Sequence, residues 1–249
     1  MITTYIYAFL SVLLVSMVSL IGLFALSLRE ALLRKYIFIF ISLAVGSLLG
    51  DAFMHLIPEA MESSLHPTLT GILIIFGIIL SFILEKFLHW HHHGEDEKNL
   101  HISPVGNLIL FSDGVHNLLD GVMIGVSFMV SIPVGIATTV AVVLHEIPQE
   151  IGDFTVLLHS GYSKKDALWF NFLSALCAVV GVVIAFVLGQ AVEGFTLWVL
   201  PITAGGFIYV AVADLIPELH KTKEVKYSIF QIIAFVVGVL AMTLLLFIE

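Results

Sequence analysis

Long apolar runs separated by short polar breaks fill this chain. A membrane-spanning helix needs about 20 predominantly apolar residues. Eight runs meet that length: 4–28, 36–60, 69–88, 104–130, 133–159, 165–190, 195–219 and 226–248. Ser103-Pro104 and Ser131-Ile132-Pro133 read as helix starts, because proline is tolerated in a first turn where its missing N–H has no helical partner anyway. Ser163 followed by Asp166 resembles a capping box with Asp in place of Glu. The fourth and fifth runs are divided by Ser131 and Ile132 alone. No Lys or Arg precedes the first run, so it is expected to be a retained membrane helix and not a cleaved signal. The pattern predicts an all-α polytopic membrane protein in which 1–249 form a single eight-helix transmembrane domain.

The polar breaks carry the orientation. Arg29, Arg34 and Lys35 fall between the first and second runs, while Lys86 lies at the end of the third run and Lys98 beyond it, before the fourth. Lys164 and Lys165 fall between the fifth and sixth, and Lys221, Lys223 and Lys226 between the seventh and eighth. All ten basic residues thus lie on alternate connections. Positively charged connections stay cytoplasmic, which places both termini on the extracytoplasmic side. The connection 89–103 is the one long break, and it holds His89, His91, His92, His93 and His101 beside Glu95, Asp96 and Glu97. Such a loop is expected to bind divalent metal weakly.

Composition narrows the class further. Hydrophobic residues make up 59% of the 249 and charged residues only 12%, with a mean hydropathy of +1.09. A soluble domain is about a quarter charged, so no room remains for one. The absence of a basic patch excludes a nucleic-acid partner. A single cysteine, Cys177, excludes an internal disulfide and a cysteine-based metal site. The charge within the runs is one-sided. Asp51, Asp113, Asp120, Glu146, Glu150, Asp153 and Asp214 lie inside them, while no Lys or Arg lies deep in any. A carboxylate in a bilayer core is costly unless protonated or paired, so the missing positive charge has to come from protons or from a bound cation.

Two of the runs concentrate the chemistry. His116 and Asp120 are one helical turn apart on the fourth run and share a face, with Asn117 turned to an adjoining position and Asp113 a turn earlier. On the fifth run His145 and Gln149 share a face, and Glu146, Glu150 and Asp153 make a second stripe. At about 1.5 Å per residue, both histidines lie roughly 18 Å past Pro104 and Pro133 respectively, near the bilayer midplane. Imidazole with carboxylate suits Zn²⁺, and with more oxygen also Fe²⁺ or Mn²⁺. Two adjacent subsites are expected: His116, Asp120, His145 and Gln149 in one, and Asn117, Glu146, Glu150 and a shared Asp120 in the other. Pro148 is expected to kink the fifth run and free the carbonyl of Leu144; Pro58 and Pro217 would likewise free those of Met54 and Ala213. Asp51, His55, Asp113 and Asp153 are candidate pathway residues.

An internal echo accompanies this centre. The second run ends in His55-Leu56-Ile57-Pro58-Glu59 and the seventh in Asp214-Leu215-Ile216-Pro217-Glu218. The fourth and fifth runs also echo each other, at His116-Asn117 and His145-Glu146. The corresponding runs cross in opposite directions, as in an inverted repeat of three, two and three helices.

The segments His116-Asn-Leu-Leu-Asp-Gly121 and His145-Glu-Ile-Pro-Gln-Glu-Ile-Gly-Asp153 resemble the fourth- and fifth-helix signatures of the ZIP (Zrt/Irt-like) metal permeases, in particular the LIV-1 type. Gly50–Glu59 and Gly205–Glu218 resemble the matching second- and seventh-helix segments. The resemblance implies a homodimer that imports Zn²⁺, Fe²⁺ or Mn²⁺ into the cytoplasm by an elevator-like movement of helices one, four, five and six. It also implies a primary site on His116, Asp120, His145 and Gln149, a secondary site on Asn117, Glu146 and their neighbours, and an outer entrance at Asp51 and His55. Gln149 departs from relatives that carry a carboxylate or histidine there. On this reading the chain is a transporter of the plasma or inner membrane and not an enzyme. Two other readings fit parts of the pattern. A site-2-type intramembrane metalloprotease would use His145-Glu146, but its second histidine would have to stand at position 149. A proton or monovalent-cation carrier would use the acids but has no need of two midplane histidines.

Overall fold

The computed structural model describes residues 2–21, 30–63, 65–90, 104–192, 194–221 and 224–247. It is all-helical, with eight helices long and apolar enough to cross a membrane. Helix α1 covers Ile2–Val18 and closes with a 3₁₀ turn at Ser19–Ile21. Helix α2 has three parts: Glu30–Asp51, a π-helical turn at Ala52–Leu56, and Ile57–Glu62. Then come α3 (Pro67–Trp90), α4 (Pro104–Val130) and α5 (Ile132–His159). Helix α6 is broken at Leu176 into Lys164–Ala175 and Cys177–Ala191. Helix α7 runs over Phe195–Tyr209, widens to a π-helical turn at Val210–Leu215, and ends with Ile216–His220; α8 is Val225–Leu245. Of the loop 89–103, residues 91–103, with His91, His92, His93 and His101, lie outside the described residues, as does the side chain of His89.

The helices start where the local chemistry says they should. Ser131 is extended, and its hydroxyl accepts from the Val134 N–H at 3.2 Å, so one residue both ends α4 and caps α5. Ser163 caps α6 by accepting from the Asp166 N–H at 3.1 Å, and its own hydroxyl donates to the Asp166 carboxylate at 2.6 Å. Pro148 lies inside α5, which continues unbroken as α-helix on both sides. Pro58 and Pro217 each follow a π-helical turn, in which the Ile57 N–H reaches back to Ala52 and the Ile216 N–H to Ala211. The wider turn shifts the hydrogen-bond register just ahead of a residue that has no N–H to give.

Packing divides the bundle. Helix α2 lies along α8 and α3 along α7, while α4 contacts α5 and α6, and α1 contacts both α5 and α6. The core draws Val12 from α1, Leu48 and Leu56 from α2, Phe128 from α4, Val142 from α5 and Phe207 from α7, all at 1% exposure or less. The outside is also apolar: Ile72, Ile75, Phe76, Ile79 and Phe82 on α3 are all exposed. An unbroken apolar surface of this kind is a lipid-facing one. The backbones of α4 and α6 touch, since a Cβ on Gly121 would overlap the Ala178 carbonyl and one on Gly181 the Leu118 carbonyl.

Candidate metal centre

Helices α4 and α5 are antiparallel and joined by a single residue, so turns of equal distance from Ser131 face each other. This brings His116 and Asp120 of α4 against His145 and Glu146 of α5, with all four ligand atoms within 4.8 Å of one another. The two Nε2 atoms of His116 and His145 are 3.2 Å apart. His116 Nε2 is 3.8 Å from Asp120 Oδ2 and 3.5 Å from Glu146 Oε1. His145 Nε2 is 3.2 Å from Asp120 Oδ2 and 3.4 Å from Glu146 Oε1. A tetrahedral Zn²⁺ with bonds of about 2.0–2.1 Å would set ligand atoms about 3.3–3.4 Å apart. These five edges are therefore those of a zinc tetrahedron in all but small adjustments.

Protonation supports the same conclusion. His145 Nδ1 lies 3.3 Å from the Ala141 carbonyl, which can only accept, so Nδ1 carries the proton and Nε2 presents its lone pair to the cluster. Both oxygens of Asp120 and of Glu146 are buried without a hydrogen-bond donor. Lone pairs and carboxylates that converge in a buried space repel one another unless a cation sits among them. His116 is the member with solvent access, its side chain 22% exposed against 0–1% for the other three.

A second group shares Glu146. Asp113, Glu146 and Glu150 bring their oxygens within the same 4.8 Å limit, and all three are buried. Asn117 donates to Asp113 Oδ1 at 2.8 Å, leaving its own amide oxygen without a donor. Sequence reasoning did not find the two residues of α6 that hold this group: Asn171 donates to Glu150 and Ser174 to Asp113. The available signal was a pair of polar residues a turn apart in an apolar run.

The remaining candidates are placed as follows. Gln149 and Asp153 line a cavity of about 680 Å³ bounded by α3, α4, α5 and α7, whose wall also includes His116, Asp120, Asp113, Glu85, Tyr209 and Asp214. Tyr209 donates to Glu85 across this cavity at 2.5 Å. Asp51 and His55 are buried away from it on α2, with His55 Nδ1 3.4 Å from Asp51 Oδ1. Thr138 of α5 donates to Asp51 Oδ2 at 2.9 Å and is 3.0 Å from the Ser127 hydroxyl of α4. Glu59, one turn after His55 on α2, is exposed beyond the π-helical turn. Thr138→Val removes the hydroxyl that donates to Asp51 and is expected to destabilise the protein by about 1–3 kcal/mol, the cost of a stranded buried acceptor, measurable as a lower unfolding midpoint in detergent.

Comparison with known proteins decides the family. The family described as ZIP Zinc transporter matches residues 2–104 and 91–246. The chain belongs to the ZIP zinc transporter family. Its similarity to "Zinc transporter ZIP13 homolog" of Drosophila melanogaster is 30% identity over 275 positions, covering 85% of this chain and 78% of the relative. For "Zinc transporter SLC39A7" of Homo sapiens it is 29% over 304 positions, 87% of this chain and 65% of the relative. For human "Zinc transporter ZIP10" it is 40% over 149 positions, 55% of this chain and 18% of the relative. The ZIP chain therefore spans from most to a fifth or less of these relatives, which belong to the LIV-1 subfamily. Within the ZIP fold, the two helices that carry the His116 and His145 motifs are the ones that form the ligand cluster.

Proposed function

We propose that this protein carries divalent transition-metal ions, zinc foremost and also iron or manganese, into the cytoplasm through a two-subsite centre between α4 and α5. The observation that carries this reading is the tetrahedral arrangement of His116, Asp120, His145 and Glu146, two of them acids with no donor. Glu146 belongs to both groups and passes an ion from one subsite to the other. Four carboxylates, Asp113, Asp120, Glu146 and Glu150, balance two dications with both imidazoles neutral. The cavity supports an inward direction. It lies where α3, α5 and α7 end and α4 begins, the side to which the sequence assigns the connections that carry all ten Lys and Arg. By the positive-inside rule that end is cytoplasmic, so the first subsite communicates with the cytoplasm through His116.

Family membership also favours a homodimer with extracytoplasmic termini. The inverted repeat is supported by the matching π-helical turns of α2 and α7 and by the packing pairs: exchanging α2 with α7 and α8 with α3 turns the α2–α8 pair into the α7–α3 pair. The protease alternative needs a ligand at 149 and a free Glu146 as base; the chain has Gln at 149, and Glu146 stands among the ligands.

Full-length protein in liposomes tests the reading. Wild type is expected to take up Zn²⁺, and His116→Ala and His145→Ala each to slow the initial rate by more than about 100-fold, beyond what changes outside the ligand shell cost, with helicity by circular dichroism retained. Undiminished uptake in both variants would remove this centre from the transport path.

A further inference from the structure

Helix α6 brings a buried amide against the second group, and the oxygen of that amide has no partner among the described residues. Asn171 is fully buried. Its amide nitrogen donates to Glu150 Oε2. Its amide oxygen has no hydrogen-bond partner, and neither has Glu150 Oε1 beside it. The donor at Glu150 fixes how the amide is turned, because a carboxylate accepts from nitrogen and repels oxygen. Nitrogen and oxygen share one carbon, so the unpartnered oxygen is held within one amide width of the acidic group. Ser174, one turn on, donates to Asp113 Oδ2 and accepts nothing from it, which fixes the opposite wall. Asn117 repeats the arrangement from α4: nitrogen on Asp113, oxygen without a donor. Two amides flank three acids, each with its nitrogen committed and its oxygen free.

We propose that Asn171 is an oxygen ligand of the second subsite, held in register by α6, and that this makes the subsite oxygen-only. The inference rests on the two-subsite reading given above. Oxygen-only sites are the harder of the two kinds and favour Mn²⁺ relative to Zn²⁺, whereas a site with two imidazoles favours Zn²⁺. The two subsites thus divide by ligand chemistry: the first selects zinc, and the second accommodates the hard ion. Ser174 acts as a positioning residue on Asp113.

Electron paramagnetic resonance of Mn²⁺ on the purified full-length protein preloaded with one equivalent of Zn²⁺ tests this. Wild type is expected to bind one Mn²⁺ beside the zinc. Asn171→Ala is expected to weaken that Mn²⁺ at least about 10-fold while zinc affinity at the first subsite stays within twofold. Asn171→Asp, which keeps the shape and supplies a charged oxygen, is expected to tighten Mn²⁺. Unchanged Mn²⁺ affinity in Asn171→Ala overturns the assignment. Should that variant fail to fold, Asn171→Asp decides: tighter Mn²⁺ supports the ligand role, and unchanged or weaker Mn²⁺ overturns it. A wild type that binds zinc and no manganese overturns the second subsite alone, whereas a wild type that binds neither metal overturns the transport reading with it.

Discussion

Replacing Glu146 by Gln is expected to weaken metal binding at both subsites at once. Glu146 is the one acid common to the two groups, and it is fully buried, with both oxygens lacking a donor. Gln has the same shape but offers one neutral oxygen and an N–H₂ that faces a metal unfavourably. The first subsite keeps His116, His145 and Asp120 and is expected to lose at least about 10-fold in Zn²⁺ affinity; the second, left with two acids, is expected to lose its ion altogether. Glu150→Gln is the informative partner, because Glu150 belongs only to the second group. It is expected to lose one equivalent and keep the other. Equilibrium dialysis with radioactive zinc counts the equivalents, and thermal unfolding gives an independent readout. At zinc concentrations about 100 times the dissociation constant, a bound ion stabilises the folded protein by about 2.7 kcal/mol. In Glu146→Gln at the same concentration the second ion's contribution should be absent, and that of the first should fall to about 1.4 kcal/mol or less. Two equivalents bound with wild-type affinity in Glu146→Gln would show that the carboxylate is not shared.

Gly121→Leu is expected to prevent α4 and α6 from docking. Gly121 stands next to Asp120, and the backbone of α6 at Ala178 occupies the space a side chain would need. Gly181 makes the reciprocal contact with Leu118, so neither helix can turn to relieve the overlap without driving the other glycine into backbone. Overpacking a core costs about 1–3 kcal/mol when side chains can give way, and here the obstacle is main chain. The unfolding midpoint is expected to fall by about 2–4 °C for each kcal/mol lost in a chain of this size, with poor yield of folded protein. Gly152→Leu is the control. A Cβ there meets nothing within 4 Å, so its effect should stay within about 0.5 kcal/mol. Equal losses at the two positions would mean that the α4–α6 contact does not govern folding.

The eight helices were legible because a bilayer leaves little freedom: apolar length sets the span. The candidate ligands were legible as a polar set, since acids and imidazoles in apolar runs without basic partners need a cation. Their grouping was less so. The one-turn rule pairs His145 with Gln149 on one helix, but contact between two antiparallel helices depends on how each is rotated. In the structure Glu146, about 100° around from His145, stands beside it in the tetrahedral set, and Gln149 lies on the cavity wall. Asn171 and Ser174 were invisible for the same reason, since their roles exist only once α6 is packed on α4 and α5. The π-helical turns before Pro58 and Pro217 illustrate another limit. A missing N–H announces a disturbed ladder, but whether the backbone bends or takes in an extra residue per turn is settled by what the helix packs against.

The Ser131 connection has a mechanical meaning. With one residue between α4 and α5, the hairpin has no slack, so the histidine from one strand of the pair cannot withdraw from the acid on the other while the rest stays in place. Ser16 of α1 clasps the Ala175 carbonyl at the break in α6, tying two further helices to the same block. Under the function proposed above, a displacement that delivers an ion would shift its cage whole, as a carriage does its passenger, and release would depend on which wall of the bundle that carriage has been brought to face.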